Sequence, residues 1–382
     1  MKYNVKLLRI ISTLNPKYGG PSSAIIDNSL YLKSKGIKVD IITNDPKNSN
    51  FYKDNKLKVM NIGSKYLPIS FNPLLFFWIL KNKHKYNNFV IHGIWELNTL
   101  IAKLLLKKNY YVFTHGQLDP YFKSEKINIL KKKIYWFFIE KKNLINSKSL
   151  LLTSDNEKKL LSKTFVNTDG IKKTVVEYGI KKPKFDKKRL EEKFFLKFEF
   201  LKNKKFFLFL GRFHKKKGCE ILLNSMEKVL RNNKKIYLLM AGPSNQYKTD
   251  LIKLSKKLKI NKNIIWSDFL GKDLKWASIK KCEAMVLSSH GENFVISIIE
   301  SLSMSRPVLI TNKVNTASYI KKTKSGFVSS NTINSFYKIL NNFLKLKNKS
   351  KKKMRKNAFN CYSKYFNLIN SSNKFVSLLK KN

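Results

Sequence analysis

The chain has 382 residues, with 78 Lys and Arg against 24 Asp and Glu, a formal net charge of +54. At 43% hydrophobic and 13% aromatic, with 14 Gly and 9 Pro, it can bury sizeable cores, which excludes a basic disordered tail, and its length fits two domains. The charge invites a nucleic-acid reading, yet the arginines number six, Arg9, Arg189, Arg212, Arg231, Arg306 and Arg355, whereas base-reading surfaces favour the planar Arg fork.

Val5 to Ser12 is an apolar run interrupted by Lys6 and Arg9 and predicts a buried parallel strand. A turn with Gly19, Gly20 and Pro21 follows, then helical periodicity over Ser22 to Ser34, closed by Gly36, and a strand over Lys38 to Thr43. This strand, helix and strand unit opens a doubly wound sheet. Phe89 to His92, Tyr110 to Thr114 and Leu150 to Thr153 continue the strand series, so the first domain reads as α/β. Between about Ile171 and Lys205 the sequence becomes Lys-rich without strand periodicity, and the domain junction is expected there. A second α/β series runs through Phe206 to Leu210, Lys235 to Met240, Ile264 to Trp266, Ala284 to Ser288 and Pro307 to Ile310. Lys351 to Asn382 has the pattern of an amphipathic helix, with Phe359, Tyr362, Tyr365, Phe366 and Ile369 at helical spacing. Two doubly wound domains in one chain place a ligand cleft between the carboxyl ends of their sheets.

Cys219, Cys282 and Cys361 are widely spaced and lack a His cluster, so neither a disulfide framework nor a zinc site is indicated and a reducing cytosol fits. Val5 to Ile11 is too short and too charged for a signal peptide, and the uncharged run Pro73 to Leu80 is far short of the roughly 20 residues of a spanning helix. A soluble or peripheral protein is expected. Lysines are spread over the whole length, as when a genome favours their codons, whereas a dedicated polyanion site would gather them on one face.

Ser289-His290-Gly291-Glu292-Asn293-Phe294-Val295 joins a strand to a helix that carries Glu300. Two carboxylates there can face a ligand at a helix N-terminus, whose free N–H groups attract anions and hydroxyl oxygens; alternatively Glu292 caps the helix and Glu300 is an exposed helical Glu. Gly211-Arg212-Phe213-His214-Lys215-Lys216-Lys217-Gly218 follows the strand Phe206 to Leu210, where Arg212 and Lys217 can converge on a phosphate. It is not a Walker P-loop, whose glycine spacing differs. Gly19-Gly20-Pro21 lets the backbone approach a ligand, or is merely a tight turn. His115, in His115-Gly116-Gln117-Leu118-Asp119-Pro120, places an imidazole at a strand's carboxyl end, as does His92 with less support.

Taken together, the early Gly-Gly-Pro turn, the His-Gly loop, Gly-Arg…Lys-Gly, and Glu-Asn-Phe with a second Glu eight residues on resemble, in order, the retaining nucleotide-sugar-dependent glycosyltransferases of the GT-B fold, family 4 (glycosyl transferases group 1). The resemblance covers about Met1 to Val328. It implies two Rossmann-like domains facing a central cleft: residues 1–175 for the acceptor and 176–355 for the donor, with a C-terminal helix, about 356–382, packing back on the first. It implies that Arg212 and Lys217 clamp the donor diphosphate, that Glu300 binds the ribose hydroxyls, and that Glu292 contacts the sugar with help from Asn293, Phe294 and Val295. His115 would lie against the sugar near the reaction centre, Gly20 near the diphosphate, and Gly242 in a loop that holds the base. Val295 and Ser305 stand where the family commonly has glycine, and Tyr178-Gly179 where it usually has Asn-Gly. Val295 is expected to crowd the donor sugar.

The implied reaction moves a sugar from a nucleotide-diphosphate donor to an acceptor hydroxyl with retention, with no cofactor and no metal. Front-side attack guided by the leaving phosphate is the family's usual proposal, not two flanking carboxylates as in a glycosidase. The expected partners are the nucleotide sugar, a glycan or lipid-linked acceptor and an anionic membrane surface, with no specific nucleic acid. The expected location is cytoplasmic or peripheral on the inner face of the plasma membrane. Lys126 to Lys142, basic and interleaved with aromatics, is either a membrane-surface helix or a core helix with solvated lysines. The rival reading is a polyanion- or nucleic-acid-binding protein on a degenerate scaffold, which predicts steeply salt-dependent binding. A phosphorylase-like enzyme would need a cofactor lysine motif that is not found.

Overall fold

The computed structural model describes residues 4–15, 21–52, 54–63, 72–124, 126–183 and 186–380. The chain forms two units, Met1–Lys181 with Asn367–Asn382, and Lys182–Phe366.

The first unit holds a sheet of seven parallel strands: β1 (Lys6–Ile11), β2 (Lys38–Thr43), β3 (Lys58–Asn61), β4 (Asn88–His92), β5 (Tyr111–Phe113), β6 (Ser149–Leu152) and β7 (Lys173–Val175). Their order is β3-β2-β1-β4-β5-β6-β7, so the chain winds outward from β1 in both directions. Its helices are α1 (Pro21–Ser34), α2 (Pro73–Asn82), α3 (Asn98–Leu106), α4 (Lys126–Tyr135), α5 (Lys141–Ile145) and α6 (Asp155–Leu160), with a π turn, Trp136–Glu140, between α4 and α5. Alternate residues of β1 serve opposite faces. Leu8 and Ile10 join Leu75 and Ile79 of α2, Ile101 and Leu105 of α3 and Leu144 of α5 in one core, while Ile11 packs with Ile25 of α1 and Ile41 in another. Burial on both faces is why the central strands read as unbroken apolar runs.

The second unit holds six parallel strands, β8 (Lys205–Leu210), β9 (Ile236–Ala241), β10 (Ile264–Ser267), β11 (Ala284–Leu287), β12 (Val308–Thr311) and β13 (Gly326–Ser329), ordered β10-β9-β8-β11-β12-β13. Its helices are α7 (Lys187–Lys197), α8 (Cys219–Asn232), α9 (Gln246–Lys257), α10 (Lys272–Lys281), α11 (Ile296–Ser303), α12 (Ala317–Thr323), α13 (Ile333–Lys345) and α14 (Asn348–Cys361). Both sheets thus have the doubly wound α/β form expected from the sequence.

The structure differs from the sequence expectations in three places. Strands β3, β7 and β13 lie at sheet edges, where half-exposed residues give no apolar run to read. The division between the units, after Lys181, lies inside the expected junction of 171–205, but that stretch also contains β7 and α7, so its lysines decorate regular structure. The tail is not one helix: α14 belongs to the second unit, a π turn over Tyr362–Phe366 interrupts the series, and only α15 (Leu368–Lys380) returns to the first unit against α1. Ile369, assigned to the apolar face, is 51% exposed.

Gly179 explains how α15 seats. A Cβ there would stand 2.2 Å from Ser371 Oγ and 2.6 Å from Leu368 Cα, so the returning segment packs directly on its backbone. The neighbouring Leu368 N donates to Ile180 O at 3.2 Å. At Ser305 the φ of +59° lies in the left-handed region, just after α11 ends at Ser303. This is the position where helices favour glycine, because any Cβ meets the following carbonyl.

Two outcomes follow from these local structures. Ser305→Gly should raise unfolding stability by about 1 kcal/mol, seen as a higher urea midpoint with unchanged slope. Glu140, fully buried in the π turn, accepts a hydrogen bond from Thr99 Oγ1 at 2.9 Å, and burial pushes its pKa up to about 8. Between its unfolded value near 4.5 and about 8 the folded state binds the extra proton, so this group's contribution to stability falls as pH rises through that window. Glu140→Gln should therefore melt close to the parent at pH 5 and above it at pH 9.

Candidate active site

In the second unit the carboxyl ends of β8 and β11 lie side by side and bring the two sequence motifs together. Lys217 ends a 3₁₀ turn, Lys215–Lys217, whose first backbone N–H groups are capped by His214: its Nδ1 accepts from Lys216 N at 3.1 Å. The turn is pinned to the other loop by His290 N donating to Lys216 O at 2.9 Å. Across this seam Lys217 Nζ and Glu292 Oε1 form an ion pair of 2.9 Å, with side chains 17% and 15% exposed. Ser289 Oγ donates to the same carboxylate oxygen at 3.3 Å.

The backbone of Glu292 is held on both sides, its N–H donating to Lys313 O at 3.0 Å and its carbonyl accepting from Asn315 N at 2.9 Å. Asn315 also donates from Nδ2 to Asn293 Oδ1 at 2.9 Å, so the loop after β12 supports the loop after β11. Glu292 is therefore not the helix cap. That position belongs to Val295, which supplies no side-chain hydrogen bond to the first turn of α11. Val295 is buried in the unit with a φ of −95°, so glycine is not required there for conformation. Ser297 Oγ donates to Leu210 O at 3.1 Å and ties the start of α11 to β8. Phe294 is half-buried, 6.1 Å from the Phe366 ring.

Glu300 is 7% exposed and forms an ion pair with Lys275 of α10, which overturns the alternative of an exposed helical Glu. Arg212 is exposed and, among the described residues, has no ion pair or hydrogen bond. Gly242 has a structural reason to be glycine: a Cβ would stand 2.0 Å from Gly211 O. Next to it Lys248 Nζ pairs with Asp268 Oδ1 at 2.7 Å and lies over the Phe213 ring. Gly20 and Gly19 fall outside the described residues.

In the first unit His115 stands after β5 with a φ of +49° and is half-buried. Its ring stacks on Tyr178, with an interplanar angle of 5°, and on His92. A chain of polar contacts runs through it: Arg9 Nη1 to His92 Nε2 at 3.2 Å, His92 Nδ1 to His115 Nε2 at 3.1 Å, and His115 Nδ1 to Tyr178 Oη at 3.4 Å. Arg9 can only donate. His92 Nε2 must then accept, its Nδ1 carries the proton and donates to His115 Nε2, and His115 carries its proton on Nδ1, toward Tyr178. Burial, then the Arg9 charge, lowers both imidazoles; His115 is pushed down to about 3, so both stay neutral. Sequence reasoning missed Arg9, although it is a rare arginine inside an apolar strand. It also missed Lys275 and Asn315, which carry no signal in so lysine- and asparagine-rich a chain.

Because burial keeps both folded histidines neutral below their ordinary 6.5, His115 down to about 3, the pair withdraws stability as pH falls below 6.5. Arg9→Met should cost about 1 to 3 kcal/mol. It should also raise the apparent pKa of His115 and mix its tautomers, both read from imidazole ¹⁵N shifts, which in the parent should report Nδ1–H unchanged from pH 5 to 8.

Residues 191–360 match the family model described as glycosyl transferases group 1. An uncharacterized glycosyltransferase of Methanocaldococcus jannaschii is 27% identical over 125 residues, 32% of this chain and 31% of the relative. The matched stretches span about a third of the curated relatives' length, 31% and 38%. Among solved structures, a glycosyltransferase from Rickettsia africae ESF-5 is 19% identical with a TM-score of 0.77, covering 99% of each chain. Anabaena HepE, solved in complex with UDP-glucose, is 13% identical with a TM-score of 0.78, covering 99% of this chain and 100% of its own. The two-sheet architecture is thus the GT-B fold, and residues 191–360 are a glycosyl transferases group 1 domain.

Proposed function

We propose that the protein transfers a sugar from a nucleotide-diphosphate sugar to an acceptor hydroxyl with retention of configuration, as a family 4 enzyme. The observation that carries this reading is the Lys217–Glu292 pair, a shielded cation and carboxylate held together at the ends of β8 and β11 inside a group 1 domain. A diphosphate takes Lys217 and the exposed Arg212, which releases Glu292 to accept from sugar hydroxyls. The uncapped start of α11 adds N–H groups facing developing negative charge. These groups neutralise the leaving diphosphate without a metal. The leaving phosphate then receives the proton of the acceptor hydroxyl on the face from which it departs. Glu300 accepts from the ribose hydroxyls, oriented by Lys275.

Donor binding by the HepE relative, which holds UDP-glucose, supports a nucleotide sugar and makes uridine the first base to test. The acceptor in this reading is a cell-surface polysaccharide or lipid-linked glycan, reached from the cytoplasm. His115, neutral and with both ring nitrogens engaged, acts near the sugar through its position rather than by proton transfer.

A thermal-shift panel of nucleoside diphosphates and their sugars tests the donor. At about 100 times its Kd a ligand adds about 2.7 kcal/mol, so one base should stand out. Lys217→Ala should abolish the shift from the diphosphate and lower transfer by about 10²- to 10³-fold, and Glu300→Ala should weaken nucleoside binding itself. A panel in which nothing shifts the melting temperature refutes the donor assignment.

A further inference from the structure

Helices α2, α3 and α4 to α5 follow strand connections that run the same way across the first sheet, and their buried residues share one core. Right-handed connection puts them on one face, with α1 on the other. The outer side of this layer is apolar where a solvated helix should be polar. On α2, Leu74, Phe77 and Leu80 recur every third residue and all are exposed, Phe77 by 64%. Leu104 of α3 is exposed as well. On α4 and the π turn, Leu130, Ile134, Phe137 and Phe138 follow helical spacing, the two phenylalanines 70% and 64% exposed, while Trp136 and Glu140 face inward.

The charge on this layer has one sign. Across residues 73–85, 98–109 and 126–148 the only acidic side chain is Glu140, which is buried. Exposed Lys81, Lys85, Lys107, Lys108, Lys131 and Lys133 accompany the apolar stripes. A second copy of this face would meet like charge, and a neutral protein partner would leave the lysines unpaired. An anionic lipid bilayer takes both components, since rings and aliphatic chains enter the headgroup region while each lysine near the surface adds about 1 kcal/mol. No helix among the described residues is long and apolar enough to cross a membrane.

We propose that the outer face of α2, α3 and α4 with its π turn is a docking surface for an anionic lipid bilayer, with Phe137 and Phe138 inserted. The inference stands on this unit's own surface and does not need the donor chemistry.

The full chain is sedimented with vesicles of equal parts phosphatidylglycerol and phosphatidylcholine, and of phosphatidylcholine alone, at about 0.15 M salt. Binding should require the anionic lipid. The double variant Phe137→Ser with Phe138→Ser, which leaves the charge unchanged, should bind about tenfold or more weakly, whereas Leu196→Ser, an 86% exposed position in the second unit, should bind like the parent. Phe137→Trp should show a blue shift quenched by brominated lipid, and Leu196→Trp should not. Equal binding of the parent and the double variant, or an unquenched Trp at 137, overturns the proposal, because overall charge then suffices. Tight binding to duplex DNA together with none to vesicles overturns it in favour of a nucleic-acid surface. Nucleoside diphosphate shifts that persist in the double variant separate failure of docking from failure of the donor assignment.

Discussion

A buried cation organises the first unit. Arg9 is 1% exposed at the centre of β1, and its contacts reach three other elements: Asn28 of α1, His92 at the end of β4, and the Phe375 ring of α15 at 5.1 Å. Asn28 extends the contact to Ser372 of α15 at 2.7 Å. Among the described residues Arg9 has no carboxylate partner, and its burial lowers its pKa to about 10, still well above neutrality. Placing an unpaired charge there is costly. What it maintains is a defined proton arrangement, because a donor-only group at one end of the imidazole chain fixes the tautomers of both histidines. It also gives α15 a polar partner under the sheet, so the return of the chain and the state of His115 depend on the same residue.

The second unit manages charge differently. Lys217 is matched to Glu292, and Lys275 to Glu300, so in the free protein both carboxylates at the site already have cations. With the side chains of the first pair only 17% and 15% exposed, removing one partner leaves the other poorly solvated. In the proposed reaction an incoming diphosphate would avoid that penalty, since it would replace Glu292 as the partner of Lys217 while sugar hydroxyls replaced Lys217 at Glu292. On that proposal the pair stands in for the ligand and holds both side chains in place in its absence. The surrounding loops explain its rigidity, because Glu292 is fixed by main-chain bonds to Lys313 and Asn315.

How much of this could be read beforehand depended on burial and on rarity. Central strands such as β2 and β8, covered on both faces, gave apolar runs with ends correct to within a residue. The edge strands β3, β7 and β13 are half-exposed and carry polar residues, so their periodicity is lost in the loop sequence. Within the second unit, the meeting of Lys217 and Glu292 was legible from their places after β8 and β11, neighbouring strands whose following loops the sheet brings together. Lys275 was not, since one lysine on a helix in a chain with 78 basic residues has no distinguishing mark until the fold sets it against Glu300. Arg9 had the opposite standing, a rare residue in an apolar strand, and what hid it was that its partners His92 and Asn28, and Asn28's partner Ser372, are far apart in sequence.

The net charge of +54 takes a different meaning once its distribution is known. Most of the described lysines are exposed or half-buried, and surface pairs such as Lys56 with Asp54 contribute little to stability. Among the described residues of α2, α3 and α4 the basic side chains have no exposed acidic counterpart within these helices, and the apolar side chains between them are exposed. Exposed apolar groups in a soluble fold are tolerated singly, but stripes of them over neighbouring helices invite aggregation unless like charge keeps copies apart. The lysines perform that separation, and the same charge favours an anionic surface over a second protein. Composition that is uninformative along the chain becomes specific where the fold strips it of acidic partners.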